Sequence, residues 1–178
     1  MQQDIQYCTA SDGVRLAYAT FGKGSPIVRT SHWLTHLEHD LDSPLFRHML
    51  LALAHDRRLL RYDARGNGLS QREVAEISFE CWVSDLGAVV DAAGYDRFAL
   101  VGLSQGVPIS IAYAARHPER VSHLILYGGY ARGLLRRPGD PDKLKQSLEL
   151  ACGLIREGWG SEEESHRQFF TKQFLRSE

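Results

Sequence analysis

A serine stands between two glycines where a short apolar run meets a helix-forming run. The pattern is Gly102-Leu103-Ser104-Gln105-Gly106, with a strand predicted over 97–101 and a helix over 105–117. So tight a turn strains the backbone at the serine and admits only very small neighbours, the role predicted for Gly102 and Gly106. The hydroxyl then lies at the C-terminal end of a parallel strand, where α/β proteins place ligands. Its chemistry would be nucleophilic attack on an acyl carbon, so Ser104 is the predicted catalytic residue.

Acyl transfer through a serine also needs two backbone N–H groups aimed at the developing oxyanion. One is expected from Gln105, directly after the serine. The second is expected from the loop Ser31-His32-Trp33 that follows the third predicted strand. By position we assign it to Trp33, with His32 as the alternative.

Two further clusters have competing interpretations. His32, His36, His39 and Asp40 are either a metal site or an ordinary loop at the edge of the active site. We favour the loop, with no metal bound, because no fourth-ligand pattern or second cluster supports a metal. Asp63-Ala64-Arg65-Gly66-Asn67-Gly68 follows a strand but lacks the phosphate-loop and dinucleotide patterns. We predict a tight loop in which Asp63 and Arg65 pair or bond the backbone.

Composition excludes several classes of partner. The chain of 178 residues has a net charge of −1 and no face that collects Lys and Arg, so nucleic acid and membrane surfaces are not expected partners. It shows no signal peptide and no apolar run long enough to span a bilayer. Three cysteines without C-x-x-C spacing indicate reduced thiols, which favours the cytoplasm.

Short apolar strands alternate with amphipathic helices as far as Gly129, which predicts an open, mostly parallel α/β sheet flanked by helices. Ser43 with Pro44, and Ser78, are predicted to begin helices within this part. After Gly129 the pattern changes to two helices without a strand, one opened by Asp140 and Pro141 and the next preceded by Ser161. We therefore divide the chain into a core over 1–130 and the start of a helical cap or lid over 131–178.

The motif Asp63-x-Arg65-Gly66-x-Gly68-x-Ser70 followed by Gly102-x-Ser104-x-Gly106 resembles the pairing seen across the α/β-hydrolase superfamily, over residues 5 to about 130. His117-Pro118-Glu119-Arg120-Val121 strengthens the resemblance. More narrowly, the segments 33–38 and 127–133 resemble bacterial hydrolase-like domains that occur alone or joined to LuxR-type regulators or nucleotide cyclases. The resemblance implies hydrolysis of an ester or related small-molecule acyl substrate without a cofactor. The alternative that it implies is a non-catalytic, ligand-sensing domain of a regulatory protein.

In this superfamily the serine is followed along the chain by an acid and then a histidine. The histidines beyond Ser104 are His117, His123 and His166, and none lies where the fold delivers its base. We therefore expect an α/β-hydrolase fold incomplete at its C-terminal end, in a truncated product or a segment of a longer protein. Alone, the chain of 178 residues is predicted to be inactive and to self-associate through the unfinished edge of its sheet.

Overall fold

The computed structural model describes residues 3–168. The strands are β1 (Asp4–Thr9), β2 (Arg15–Gly22), β3 (Ser25–Arg29), β4 (Arg57–Tyr62), β5 (Phe98–Leu103) and β6 (Val121–Tyr127). The helices are α1 (Arg47–Leu53), α2 (Phe79–Ala92), α3 (Gly106–Arg116) and α4 (Pro141–Gly158).

The six strands form one sheet in the order β1-β2-β4-β3-β5-β6. β3, β4, β5 and β6 run parallel to one another, while β2 lies antiparallel to β1 and to β4. Each parallel neighbour is reached through a helical connection, as parallel pairing requires. The predicted α/β class with a mostly parallel sheet is confirmed.

Alternate residues of the central strands supply two apolar layers. Val28, Leu60 and Leu100 pack with α2 and α3 on one face of the sheet. Their chain neighbours pack with α1 on the other face, since successive side chains of a strand point to opposite sides; they are Ile27, Leu59 and Val101. Helices therefore cover both faces of the central sheet, and the C-terminal ends of its parallel strands meet at one edge.

The helix starts predicted at Ser78 and Asp140 are correct, and the one predicted at Ser43 is wrong. Ser78 Oγ accepts the N–H of Cys81 at the start of α2, and Asp140 caps α4 with Pro141 in its first turn. α1 does not begin at Ser43 but at Arg47, without a side-chain cap. Ser43 Oγ instead accepts the N–H of Leu45 at 3.2 Å, so this side chain stabilises a turn before the helix and does not cap the helix itself.

β6 is the last strand of the sheet over the described residues. Four of its consecutive apolar residues are substantially exposed: Leu124, Ile125, Leu126 and Tyr127, the last at 73%. Such an edge can pair with a further strand.

By contact density the chain divides into two compact units, residues 1–131 and 132–178. The second contains α4 and a further helical stretch over 164–168. The helix predicted after Ser161 would continue through Phe169, Phe170 and Phe174, which lie outside the described residues. Cys8, Cys81 and Cys152 are free and partly exposed. Over residues 3–168, no helix combines the length and apolar character needed to cross a bilayer.

Candidate active site

Ser104 occupies a strained, exposed turn between β5 and α3. Its φ is +50°, the left-handed region that non-glycine residues rarely adopt. Its N–H donates to Tyr127 O at 3.0 Å, and its own carbonyl accepts the N–H of Val107 at 3.1 Å. These bonds hold the turn to the end of β6 and to the first turn of α3. The strained strand–turn–helix predicted from the glycine–serine pattern is confirmed as a backbone conformation.

Gly102 and Gly106 are both needed for close approaches. A Cβ on Gly102 would lie 2.7 Å from Ser110 Oγ and 2.9 Å from the carbonyl oxygen of Gly106. A Cβ on Gly106 would lie 3.2 Å from the carbonyl oxygens of Thr30 and Ser31. The first glycine lets α3 fold back on the strand, and the second lets the loop after β3 approach the turn.

A buried pair of hydroxyls fastens that loop to α3. Thr30 Oγ1 lies 2.7 Å from Ser110 Oγ, which donates to the carbonyl oxygen of Gly106 at 2.8 Å. The N–H of Thr30 also donates to Val101 O at 2.9 Å. The end of β3 is therefore fixed against the turn that carries Ser104.

The loop after β3 brings Trp33 to the residue that follows the serine. The backbone N–H of Trp33 donates to the side-chain oxygen Oε1 of Gln105 at 3.0 Å. The two residues to which we assigned the oxyanion donors thus come together at one point. Nothing in the order of residues indicates that the side chain of Gln105 would bind the backbone of Trp33.

His32, the alternative donor, is buried within the same loop. Arg29 Nη2 donates to His32 Nε2 at 2.6 Å. Burial, followed by the nearby guanidinium, lowers the pKa of His32 to about 3, so the ring is neutral at neutral pH. A neutral ring held between Arg29 and Phe46, whose ring centroid lies 5.8 Å away, positions the loop.

Two arginines missed by the sequence analysis lie buried behind this loop. Arg29 and Arg61 are paired in register on β3 and β4. Asp40 Oδ2 lies 3.5 Å from Arg29 Nη1 and 3.0 Å from Arg61 Nη1. Arg61 also donates to the carbonyl oxygen of Leu37. The signal was present in the sequence: each arginine directly follows two apolar residues of a buried strand, where an unpaired charge is not tolerated.

Asp63 and Arg65 do not pair with each other. Asp63 Oδ2 accepts the backbone N–H groups of Leu37 and Leu69, at 3.2 and 2.8 Å. Arg65 instead donates to both carboxylate oxygens of Asp85, at 2.8 and 2.7 Å. The predicted bonding of Asp63 to the backbone is therefore correct. Since Asp85 is fully buried, its ion pair with Arg65 fixes the loop after β4 to α2.

The histidines after the serine have local partners. His117 Nδ1 lies 3.8 Å from Glu119 Oε1, and its ring centroid lies 4.6 Å from that of Tyr113. His123 Nδ1 lies 3.2 Å from Ser122 Oγ. In the second unit, His166 Nδ1 lies 3.5 Å from Glu163 Oε2. Within residues 3–131, no side chain forms a hydrogen bond with the hydroxyl of Ser104.

The histidine-rich loop does not form a helical face. Only His39–Leu41 adopt a 3-10 turn, so the spacing of these histidines does not place them on one face of a helix. The rings of His36 and His39 still lie near each other, with centroids 4.1 Å apart, whereas His32 binds Arg29. Among the described residues, no three His, Cys, Asp or Glu side chains are grouped to hold a metal ion.

A small cavity of about 30 Å³, the size of roughly one water molecule, lies beside Gln105. Its walls combine aromatic rings with polar side chains: Ser31, His32, Trp33, Tyr62, Ala64, Asn67, Trp82, Gln105 and Ile109. Its volume is far below the roughly 300–1,000 Å³ of sites for small molecules, so it has room for water and not for a substrate.

Comparison with known proteins defines the class. A family model for the alpha/beta hydrolase fold matches residues 36–150, well over half of the chain. The chain therefore belongs to the α/β-hydrolase family.

Several hydrolases resemble the chain in sequence. It is 38% identical over 84 residues to a 2-hydroxy-6-oxo-2,4-heptadienoate hydrolase of Pseudomonas putida, covering 47% of this chain and 30% of that protein. It is 32% identical over 124 residues to a putative carbamate hydrolase of Azorhizobium caulinodans, covering 68% and 44%. The chain spans about half or less of the length of such relatives.

Solved structures agree on the fold. An enol-lactonase of Burkholderia xenovorans aligns with a TM-score of 0.61 at 28% identity, covering 71% of this chain and 48% of that one. An esterase of Exiguobacterium antarcticum aligns with a TM-score of 0.70 at 23% identity, covering 97% and 62%, a likeness of fold alone.

Proposed function

We propose that Ser104 is the nucleophile of a serine hydrolase acting on an ester or a related small acyl compound. The observation that carries this proposal is the backbone of Ser104, at φ +50° on an exposed turn between a parallel strand and a helix. Strain of this kind persists only where the surroundings enforce it, and it presents the hydroxyl at the sheet edge where ligands bind. The relatives whose names specify hydrolases and a lactonase support this reaction class.

The oxyanion would be held by the backbone N–H groups of Gln105 and Trp33. The N–H of Gln105 is at the N-terminal end of α3, where first-turn donors lack partners within the helix. Trp33 is held beside it by the fixed end of β3. Two such donors stabilise the negative charge that forms when the hydroxyl oxygen attacks the acyl carbon.

The general base and its acid would come from outside the described core. A serine is a weak nucleophile until a histidine accepts its proton, and the histidines at 117 and 123 have other partners. The chain spans about half or less of the length of its hydrolase relatives, in keeping with an acid and a base that lie outside the described core. Residues 131–178 would begin a helical cap or lid.

No cofactor or metal has a role in this proposal, and the substrate is a small molecule. A cytoplasmic location and the absence of nucleic acid or a membrane as partner remain part of the same proposal, on the grounds of composition given above.

A second candidate is a non-catalytic, ligand-sensing domain of a regulatory protein. It is favoured by the occupied N–H of Trp33 and by the lack of a base at Ser104 in the described core. A domain of this kind would bind a small molecule and report it to an attached regulator or cyclase.

Turnover of short p-nitrophenyl esters by the full-length protein separates the two candidates. If the protein is a serine hydrolase, it should turn these esters over, and Ser104→Ala should lower the rate by several orders of magnitude. Ser84→Ala, at an exposed serine of α2, is the matched control and should retain the full rate. If the protein binds the ester but shows no turnover that Ser104→Ala removes, the ligand-sensing domain is favoured.

A further inference from the structure

The side chain of Gln105 occupies a donor that the proposed mechanism needs. Its Oε1 lies 3.0 Å from the backbone nitrogen of Trp33, at the distance that a substrate oxyanion would require. An N–H can only donate, so the atom facing Trp33 is the amide oxygen of Gln105 and not its nitrogen. The second oxyanion donor is therefore filled by the residue next to the nucleophile.

Only side-chain rotation is needed to release this bond. The backbone of Gln105 has φ −60° and ψ −27°, already suited to the start of α3. The flanking turn is fixed by the bonds of Ser104 and by the close approaches at Gly106. The side chain is only partly buried and faces solvent and the small cavity. Release of Trp33 can therefore leave intact the geometry of the elbow, the tight turn over residues 102–106 that carries Ser104.

We infer that Gln105 is a latch that makes the Trp33 donor selective for the oxyanion over the ground-state carbonyl. This inference rests on the proposed function of Ser104. A neutral substrate carbonyl is no better an acceptor than the amide oxygen already in place, so it leaves the latch closed. An oxyanion accepts a hydrogen bond about twice as strong and displaces the amide. The donor is thus engaged only once charge has formed, which is the condition for lowering the barrier rather than tightening ground-state binding.

Phenylboronic acid tests the latch in the full-length protein. The oxygen of Ser104 adds to boron, its proton passes to water, and a tetrahedral boronate with one negative charge results. Gln105→Met keeps the length of the side chain and replaces the amide oxygen by a thioether, a much weaker acceptor, so the boronate should bind about fivefold more tightly, the equivalent of one neutral hydrogen bond. Gln105→Glu places a carboxylate next to the Trp33 N–H, where it accepts that hydrogen bond more strongly and repels the boronate anion. Binding of the boronate should therefore weaken about tenfold or more.

Changes of opposite sign in the two variants cannot both come from misfolding. Gln71→Met is the matched control, because Gln71 Oε1 also accepts a backbone N–H, that of Arg15 at 3.2 Å, and it should leave the affinity unchanged. If Gln105→Met binds the boronate no more tightly than wild type, and binding still depends on Ser104, the latch is overturned. The assignment of Ser104 as the nucleophile is then unaffected. Binding that Ser104→Ala does not affect overturns the nucleophile and the latch together.

Discussion

Arg29 donates a hydrogen bond of 2.6 Å to His32, and the histidine must be unprotonated to accept it. The pair lies directly before Trp33, at the end of a strand fixed to the elbow. Protonation of the His32 ring would break its bond to Arg29, and His32 directly precedes Trp33, the proposed oxyanion donor.

This pair predicts a specific pH dependence of stability. The pKa of His32 is about 3 in the folded protein, mainly through burial, against 6.5 in the unfolded chain. Between these values the unfolded state binds more protons, so the free energy of unfolding falls as the pH drops below about 6.5. His32→Gln should remove up to about 1.4 kcal/mol per pH unit of that slope.

Urea titrations of both proteins over this pH range measure the difference in slope. His48→Gln, at an exposed histidine of α1, is the control and should keep the wild-type slope. Identical slopes for wild type and His32→Gln would mean that His32 is not buried in its neutral form.

Gly102→Ala should destabilise the protein, because the new Cβ would lie under 3 Å from Ser110 Oγ and the carbonyl oxygen of Gly106. Overpacking of this kind costs about 1–3 kcal/mol. Gly87→Ala, inside α2, has ordinary van der Waals contacts, the nearest at 3.8 Å, and should stabilise by about 0.5–1 kcal/mol. Thermal melts of the two variants should shift in opposite directions; a neutral Gly102→Ala would contradict the close packing of the elbow.

Asp40→Asn should strongly destabilise the protein, by about 3–5 kcal/mol, because it leaves two buried guanidinium groups without their shared carboxylate. Asp42→Asn, two residues along and exposed, should change the unfolding free energy by less than about 0.5 kcal/mol. Chemical denaturation measures both. Equal effects would show that the Arg29–Asp40–Arg61 cluster does not hold the loop.

The strand and helix order followed from the sequence, while the contacts of the site did not. The helix predicted over 105–117 is α3, observed at Gly106–Arg116, because Pro118 ends the helix-forming run. α1 was placed too early because Ser43 and Pro44 carry a helix-start signal that the structure uses in a turn. Both results depend on neighbouring residues alone.

The side-chain partners depend on distant segments that only the folded sheet brings together. Arg65 binds Asp85, which is twenty residues away in the chain, and the side chain of Gln105 accepts the N–H of Trp33, which is seventy-two residues away. The residue types at 104, 102 and 106 identified the elbow because local strain selects them. No local rule selects the partner of Gln105 or the burial of His32.

The exposed edge of β6 predicts self-association of residues 1–178. Leu124, Ile125 and Leu126 are 40–47% exposed on a strand that has no further partner strand within residues 3–168, and the net charge of −1 offers little repulsion between copies. Ile125→Lys should shift the chain toward monomer in sedimentation velocity. Leu150→Lys, at a 65% exposed position of α4, should not. A wild-type chain that stays monomeric would contradict self-association through the edge of β6.

The identity of the nucleophile is tested most directly by labelling the full-length protein with a fluorophosphonate and mapping the adduct by mass spectrometry. An activated serine oxygen forms a bond to phosphorus as fluoride leaves, so the account predicts one adduct, on Ser104, lost in Ser104→Ala and retained in Ser84→Ala. An adduct on another serine, or labelling undiminished in Ser104→Ala, would contradict it.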